Sequence, residues 1–298
     1  MPEISEYLKP ESLQKLAKME IVARLVVEGF ITGMHKSPHR GFSVEFAEHR
    51  QYVPGDEIRH INWKAFARSD RYYIKQYEEE TNLRGYILLD CSASMSYQSG
   101  PVSKFFYAKC LAAALSYLML QQQDSAGLIT FDREVKTYLP PRAAPTHLKA
   151  ILHQIDQASI GKETSLSNIF HDLAERIKKR GLIIVISDLF DNAKDIMSGL
   201  THFRHKKHEV LIFQVLDPDE LNFPFRNWTL FNNLENDSHR LLTEPQRVRS
   251  AYLESLGGFV NELRRCCRQK RIDFQQLNTT VPFDVALAAY LAGRVAAV

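Results

Sequence analysis

The residues best suited to chemistry sit in the stretch Tyr86–Ser96, YILLDCSASMS. A short apolar run ends at Asp90, and the hydroxyls of Ser92, Ser94 and Ser96 follow at alternate positions. Two other segments carry oxygen-bearing side chains at comparable places. Thr164 lies in GKETSLSNI, ahead of a helix expected from Leu166, and Asp188 ends the apolar run in VISDLFD. Hydroxyls and carboxylates are hard oxygen ligands, and Mg2+ takes about six oxygens in a near-octahedral array, several of them water. On an extended loop, alternation would aim Asp90, Ser92 and Ser94 to one side. Ala93 is small enough for the loop to curl. Cys91 would turn away and pack, because a thiol is a poor partner for Mg2+. The plainer alternative is a polar strand-to-helix connection in which Ser96 or Ser99 caps the next helix.

The elements that must position these groups follow from hydrophobic spacing. Ser12 to Gly33 repeats apolar residues at helical intervals and predicts a helix, with an interruption near Gly29. From His35 to Thr81 the chain is dense in charge, aromatics and turn residues, and Pro54-Gly55 suits a type II turn. RYYIKQYEE alternates in the manner of a strand. Past Leu83, strands and helices take turns. Strands are expected over Tyr86–Asp90, Ala126–Phe131, Gly181–Ser187, HEVLIFQVL and RIDFQQLN, with Glu134–Leu139 pairing beside the second. Helices are expected over Lys104–Gln122, Pro145–Gln157, Leu166–Lys179, Ala193–Phe203, Val248–Lys270 and Pro282–Val295. GLIIVIS is apolar throughout, as a central parallel strand covered on both faces must be. RHKKHE, from Arg204 to Glu209, reads as a solvated basic turn. Strands separated by helices imply right-handed crossovers and an α/β fold with a doubly wound, mostly parallel sheet. In such sheets ligands bind beyond the carboxyl ends of the strands, where Asp90 and Asp188 stand.

Asp90-x-Ser92-x-Ser94, then Thr164, then Asp188, resembles the metal-ion-dependent adhesion site of von Willebrand factor A domains. The resemblance implies a von Willebrand factor A-like, Rossmann-type sheet. It also implies direct binding of Mg2+ (or Mn2+ or Ca2+) by Ser92 and Ser94. Thr164 would bind directly or through water, and Asp90 and Asp188 would act mostly through water. An acidic residue of a partner protein would fill the open position. The preceding segment resembles the signature of the bacterial and archaeal domain-of-unknown-function family fifty-eight. The matching elements are Gly41, Glu45-Phe46, Arg50-x-Tyr52, Pro54-Gly55-Asp56, Arg59, Trp63-Lys64, Ala67-Arg68 and Lys75. That family implies a partnership with a MoxR-type AAA+ ATPase, or with a client that such an ATPase remodels. Ala93 departs from the commoner Ser-Gly-Ser centre. The expected organisation is a helical segment over 1–34, a small β-rich module over 35–82 and the α/β domain over 83–298. Within the module, Arg59, Arg68, Glu45 and Asp56 could equally form an ion-paired network beneath Trp63, Phe66 and Tyr72.

Composition narrows the function classes. The 298 residues are 45% hydrophobic and 24% charged, an ordinary globular balance. A net charge of +3 is too mild to call for nucleic acid. The longest apolar stretch, Cys110–Leu120, is too short to span a bilayer, and the start of the chain shows no apolar signal core. A cytoplasmic, soluble protein is the expectation. The four cysteines include no C-x-x-C pair, and Cys266 and Cys267 sit side by side in a helical context. A serine hydrolase would need a G-x-S-x-G frame, which neither Ser92 nor Ser94 has. A phosphohydrolase of haloacid dehalogenase type is the alternative reading, with Asp90 as nucleophile and Asp188 and Asp191 as the later acidic motif. That chemistry wants an acid two residues after the nucleophile, where Ser92 stands. The expectation is therefore a non-enzymatic, metal-dependent adaptor.

Overall fold

The computed structural model describes residues 10–13, 18–36, 50–51, 73–74, 83–161, 166–234 and 240–295. The chain forms two compact units, one of 1–33 with 83–298 and a second of 34–82. In the second unit, β1 (Arg50–Gln51) pairs antiparallel with β2 (Tyr73–Ile74). The Pro54-Gly55 turn and the Arg59, Arg68 and Trp63 readings lie outside the described residues.

In the first unit, a short turn, α1 (Pro10–Leu13), precedes α2 (Met19–Lys36). No break occurs at Gly29, contrary to the sequence expectation. Glycine in a helix interior costs about 1 kcal/mol relative to alanine. Burial of Val22, Ala23, Val26, Val27 and Phe30 along one stripe outweighs that cost.

The main sheet is built from β3 (Arg84–Asp90), β4 (Ser125–Phe131), β5 (Val135–Arg142), β6 (Leu182–Ser187), β7 (Glu209–Leu216) and β10 (Asp273–Asn278). Its spatial order is β10-β7-β6-β3-β4-β5. All neighbours run parallel except β5, which returns antiparallel along β4. An edge position suits β5, because Pro140 and Pro141 lack the donors that a second neighbour would require. β3 and β6 are adjacent in space, yet the chain leaves β3 toward β4 and leaves β6 toward β7. Their carboxyl ends therefore border the crevice where the winding direction reverses.

Helices cover both faces of the sheet. On one face α5 (Leu166–Arg176), α6 (Ala193–His205) and α8 (Pro245–Gln269) pack over Leu88, Ile129, Ile183, Val185 and Ile212. α3 (Lys104–Gln121) is buried nearly all round, between the sheet and α4 (Pro145–Gln157). Tyr107 of α3 stacks on Phe283, just before α9 (Asp284–Val295), and its hydroxyl donates to the Val281 carbonyl at 3.0 Å. Among the described residues no helix is long and apolar enough to cross a membrane.

Three local expectations change. The cap of α3 is Ser103, whose hydroxyl accepts from the Phe106 amide at 3.1 Å, and neither Ser96 nor Ser99 takes that role. After the short helix α7 (Pro218–Asn222), the sequence reading also passed over a hairpin of β8 (Thr229–Asn232) and β9 (Arg240–Thr243). Phe231 of that hairpin stacks on Phe223, which the alternation of only four residues per strand did not reveal. The run from Arg204 to Glu209 is only partly solvated. Lys206 and Lys207 are exposed, but His208 is 1% exposed and its ring lies edge-on to Tyr86 and Phe203. Burial pushes the His208 pKa below its ordinary 6.5.

This depression has a definite sign. As pH falls through the ordinary histidine range, the unfolded chain takes up a proton that folded His208 refuses, so the folded state loses stability. Asp90, described below, titrates in the opposite sense, so the informative quantity is a difference between variants. His208→Gln should show a shallower fall in Tm than the parent between about pH 7.5 and about pH 5.5. Parallel Tm–pH curves would refute the assignment.

Candidate functional site

Asp90 is the last residue of β3 and is 1% exposed. One carboxylate oxygen accepts from the Ser92 amide at 2.8 Å, and the other from the Ser187 hydroxyl at 2.5 Å. Burial raises the Asp90 pKa, the nearby Asp188 carboxylate raises it further, and these hydrogen bonds pull against both. Cys91 is buried with its thiol toward the Leu89 carbonyl, and burial pushes that thiol up to about 12. It is a packing group.

The serines depart from the extended loop that alternation suggested. Ser92 has extended backbone, but Ala93–Ser96 winds into a 3-10 turn. The turn still sets the Ser92 and Ser94 hydroxyls side by side, 3.1 Å apart. Ser92 is buried and Ser94 half-buried, so the pair opens outward through Ser94. An octahedral ion with oxygens at about 2.0–2.1 Å has adjacent ligands about 2.9 Å apart, close to this spacing. The hydroxyl pair therefore fits a small hard cation. Asp90 does not need to touch such an ion, since both its oxygens already accept hydrogen bonds.

Asp188 follows β6 and is 2% exposed. One oxygen accepts from the Phe190 amide at 3.2 Å. The other accepts from the Lys104 ammonium at 2.8 Å. Lys104 also donates to Glu220 at 2.6 Å, with its own side chain fully buried. A cation in the first turn of a helix opposes the helix dipole by up to about 1 kcal/mol, and the two buried carboxylates override that. Burial pulls the Lys104 pKa down, but Asp188 and Glu220 outweigh it and the net shift is upward. Glu220 also moves upward, because its burial exceeds the attraction of Lys104. The short contact is nevertheless that of a charge-assisted pair. The Phe190 ring closes over the ammonium, 5.0 Å from its centroid.

Leu189, between Asp188 and Phe190, is a buried non-glycine residue at φ 60. That conformation costs about 1–2 kcal/mol. It is held because the Leu189 amide donates to the Ser187 hydroxyl at 2.9 Å while the Leu189 carbonyl accepts from the Asp191 amide at 2.8 Å. The resulting turn brings a carboxylate oxygen of Asp191 to the Leu166 amide at 3.0 Å, where it caps α5.

Thr164 lies outside the described residues, as do 162, 163 and 165. Both flanks of that gap are tied to the site. The Gly161 amide donates to the Cys91 carbonyl at 2.7 Å, and Leu166 is bound to Asp191. A Cβ at Gly161 would fall 1.8 Å from an Asp132 carboxylate oxygen, so a larger residue there would have to displace the Asp132 side chain. Asp90, Ser92, Ser94 and Asp188 thus share one rim, and the chain enters and leaves 162–165 beside it.

The sequence reading missed the second half of this rim. Asp217 follows β7 as Asp188 follows β6, and it caps α7 in a capping box with Glu220. It also accepts from the Ser99 amide at 3.1 Å and from the Ser99 hydroxyl. Asp219 accepts from the Tyr97 hydroxyl at 3.3 Å. These contacts strap the 97–103 segment onto the end of β7. The available signal was an acid closing an apolar strand, the same pattern used for Asp90 and Asp188. Among the described residues, no three His, Cys, Asp or Glu side chains group to hold a metal.

Residues 48–257 match a sequence family described as a protein of unknown function, DUF58. Uncharacterised proteins of Mycobacterium bovis and Mycobacterium tuberculosis are 27% identical over 288 residues, covering 96% of this chain and 90% of theirs. Among solved structures, a conserved hypothetical protein BatB from Bacteroides thetaiotaomicron aligns with TM-score 0.49 and 18% identity, over 72% of this chain and 98% of that one. An aerotolerance-related membrane protein from Bacteroides fragilis aligns with TM-score 0.46 and 19% identity, over 65% and 90%.

The buried Lys104 makes a sharp prediction. Lys104→Met leaves Asp188 and Glu220 as uncompensated buried charges and should lower stability by about 3 kcal/mol or more. Adding Asp188→Asn and Glu220→Gln should recover more than half of that loss in denaturant melts. No recovery in the triple variant would mean that Lys104 acts through packing instead of charge.

Proposed function

The chain belongs to the DUF58 family, and on that footing we propose that it is a non-enzymatic, cytoplasmic adaptor of von Willebrand factor A-like type whose partner binding depends on a divalent ion. The observation that carries this reading is the Ser92–Ser94 hydroxyl pair, 3.1 Å apart, over the buried carboxylates of Asp90 and Asp188 at the strand-order switch. Ser92 and Ser94 would hold Mg2+, or Mn2+ or Ca2+, directly. Thr164 would join directly or through water, and Asp90 and Asp188 would orient bound waters. When bound, the ion would neutralise charge between these residues and an acidic side chain on a partner. A MoxR-type AAA+ ATPase, or its client, is that partner by family resemblance.

Lys104 deepens the proposal. It already neutralises part of the negative charge of Asp188 and Glu220, which lowers the attraction of the rim for a free cation. Ion uptake by the isolated chain should be weak and should tighten when a partner carboxylate completes the coordination. The phosphohydrolase alternative finds less support. Both Asp90 oxygens accept hydrogen bonds in a buried setting, which suits support better than nucleophilic attack. Asp191, its second acidic candidate, is spent on capping α5.

Titration calorimetry with Mg2+ or Mn2+ should show uptake that disappears in Asp90→Ala. It should weaken at least tenfold in Ser94→Ala, a half-buried site whose variant should keep the fold. Thr164→Ala should weaken it as well. Capture of a purified MoxR-type ATPase should fall on chelation with EDTA, and equal capture with EDTA present would sink the adaptor reading. Mg2+-dependent turnover of a generic phosphate ester, lost in Asp90→Asn, would favour the phosphohydrolase instead.

A further inference from the structure

A second constellation lies on the seam between α5 and α6. The two helices approach closely at Gly199, where a Cβ would fall 2.7 Å from the Cβ of Phe170. The buried rings of Phe170 and Phe203 sit with centroids 6.1 Å apart, fixing the rotation of both helices. Each phenylalanine has a histidine as its chain neighbour, and those two histidines meet. The Nδ1 atoms of His171 and His202 are 3.0 Å apart.

The far nitrogens are held as well. His202 Nε2 lies 2.9 Å from a Glu175 carboxylate oxygen, and Lys206 donates to the other oxygen at 3.0 Å. His171 Nε2 lies 3.3 Å from the Ser198 hydroxyl. Both rings line one open cleft on the protein surface, which His205, one turn beyond His202, also borders. Two imidazoles thus set their Nδ1 atoms face to face while a carboxylate and a hydroxyl orient them from behind. That is the arrangement by which proteins hold ligating histidines, with the outer nitrogen donating to a carboxylate or other acceptor.

We propose that His171 Nδ1 and His202 Nδ1 form a site for a borderline divalent transition metal, Zn2+ foremost. Bonds of about 2.0–2.1 Å to a tetrahedral zinc place two ligand nitrogens about 3.3 Å apart, so the rings need separate by only a few tenths of an ångström. The tautomers balance without net proton release. With the metal absent, one Nδ1–H bridges to the other Nδ1. With it bound, both protons sit on Nε2, donating to Glu175 and to Ser198, whose hydroxyl turns from donor to acceptor. Among the described residues no three His, Cys, Asp or Glu side chains are grouped to hold a metal as they stand. Water therefore completes the sphere, and His205 borders the same cleft. Imidazole selects Zn2+, Ni2+ or Cu2+ over Mg2+, so this site is chemically separate from the hydroxyl pair at the strand ends.

The test is Zn2+ titration of the full chain by calorimetry, with Mg2+ in large excess, repeated with Co2+ to read its visible absorption. One equivalent of Zn2+ should bind. His171→Gln and His202→Gln should each weaken binding at least tenfold, and the double variant should abolish it. Glu175→Gln, which leaves both ligands in place, should cost between about tenfold and a hundredfold. Ser94→Ala should bind Zn2+ as the parent does. Circular dichroism melts check that each variant folds. Absence of stoichiometric uptake by the parent, undiminished uptake by the folded double variant, or competitive displacement of Zn2+ by Mg2+ would each overturn the proposal.

Discussion

Lys104 is buried between Asp188 and Glu220, and the rim of the sheet is arranged around that ammonium. Desolvating a lysine costs several kcal/mol unless carboxylates surround it. Here one comes from the end of β6 and the other from α7, just past β7, so the pair binds the start of α3 to both elements at once. The serine turn spans the short interval between Asp90 and that helix. Its position is therefore determined at both ends, by the Asp90 carboxylate on one side and by Lys104 on the other.

Around this anchor polar contacts fix the loops, which also bury Met95, Val102 and Leu189. Asp90 gathers Ser92 and Ser187, Asp217 gathers Ser99, Asp219 gathers Tyr97, and Asp191 gathers Leu166. Each of these acids does structural work that a sequence motif would assign to a ligand. The consequence for function is a rim rich in carboxylates of which few remain free for an ion. Hydroxyls are left to supply direct contacts, and neutral oxygens bind a dication more weakly than carboxylates do. On the proposed reading, such a site would suit a reversible contact in which the partner brings the missing charge.

The two candidate sites divide metal chemistry by ligand type. Oxygen ligands collect where parallel strands end, because backbone turns there expose hydroxyls and capping carboxylates. Imidazoles collect on a helix seam, because a glycine lets two helices approach until surface histidines touch. The same rigid core supports both: Phe170 and Phe203 pack beneath the histidine pair, and Leu189 beneath the Asp188 turn joins the same cluster.

Much of the α/β architecture was legible along the chain. Apolar runs of strand length, broken by acids and hydroxyls, placed Asp90 and Asp188 at strand ends, and helical spacing located α3 through α6 and α8. These features are local, since a buried parallel strand must be apolar throughout and must stop where polar groups begin. Gly29 misled because propensity is a small term against a buried stripe of valines. Ser94 misled in part, because alternation assumes extended backbone and the chain coils into a 3-10 turn. The ion triad was beyond reach. Lys104 meets Asp188 across 84 positions and Glu220 across 116, and nothing local marks such partners until strand order makes β6 and β7 neighbours. The histidine pair and the burial of His208 belong to the same class. The sequence by itself determined which elements form and which residues end them. Only the tertiary structure decided which charges and rings meet, because that depends on the order of strands and the approach of helices, which are long-range properties.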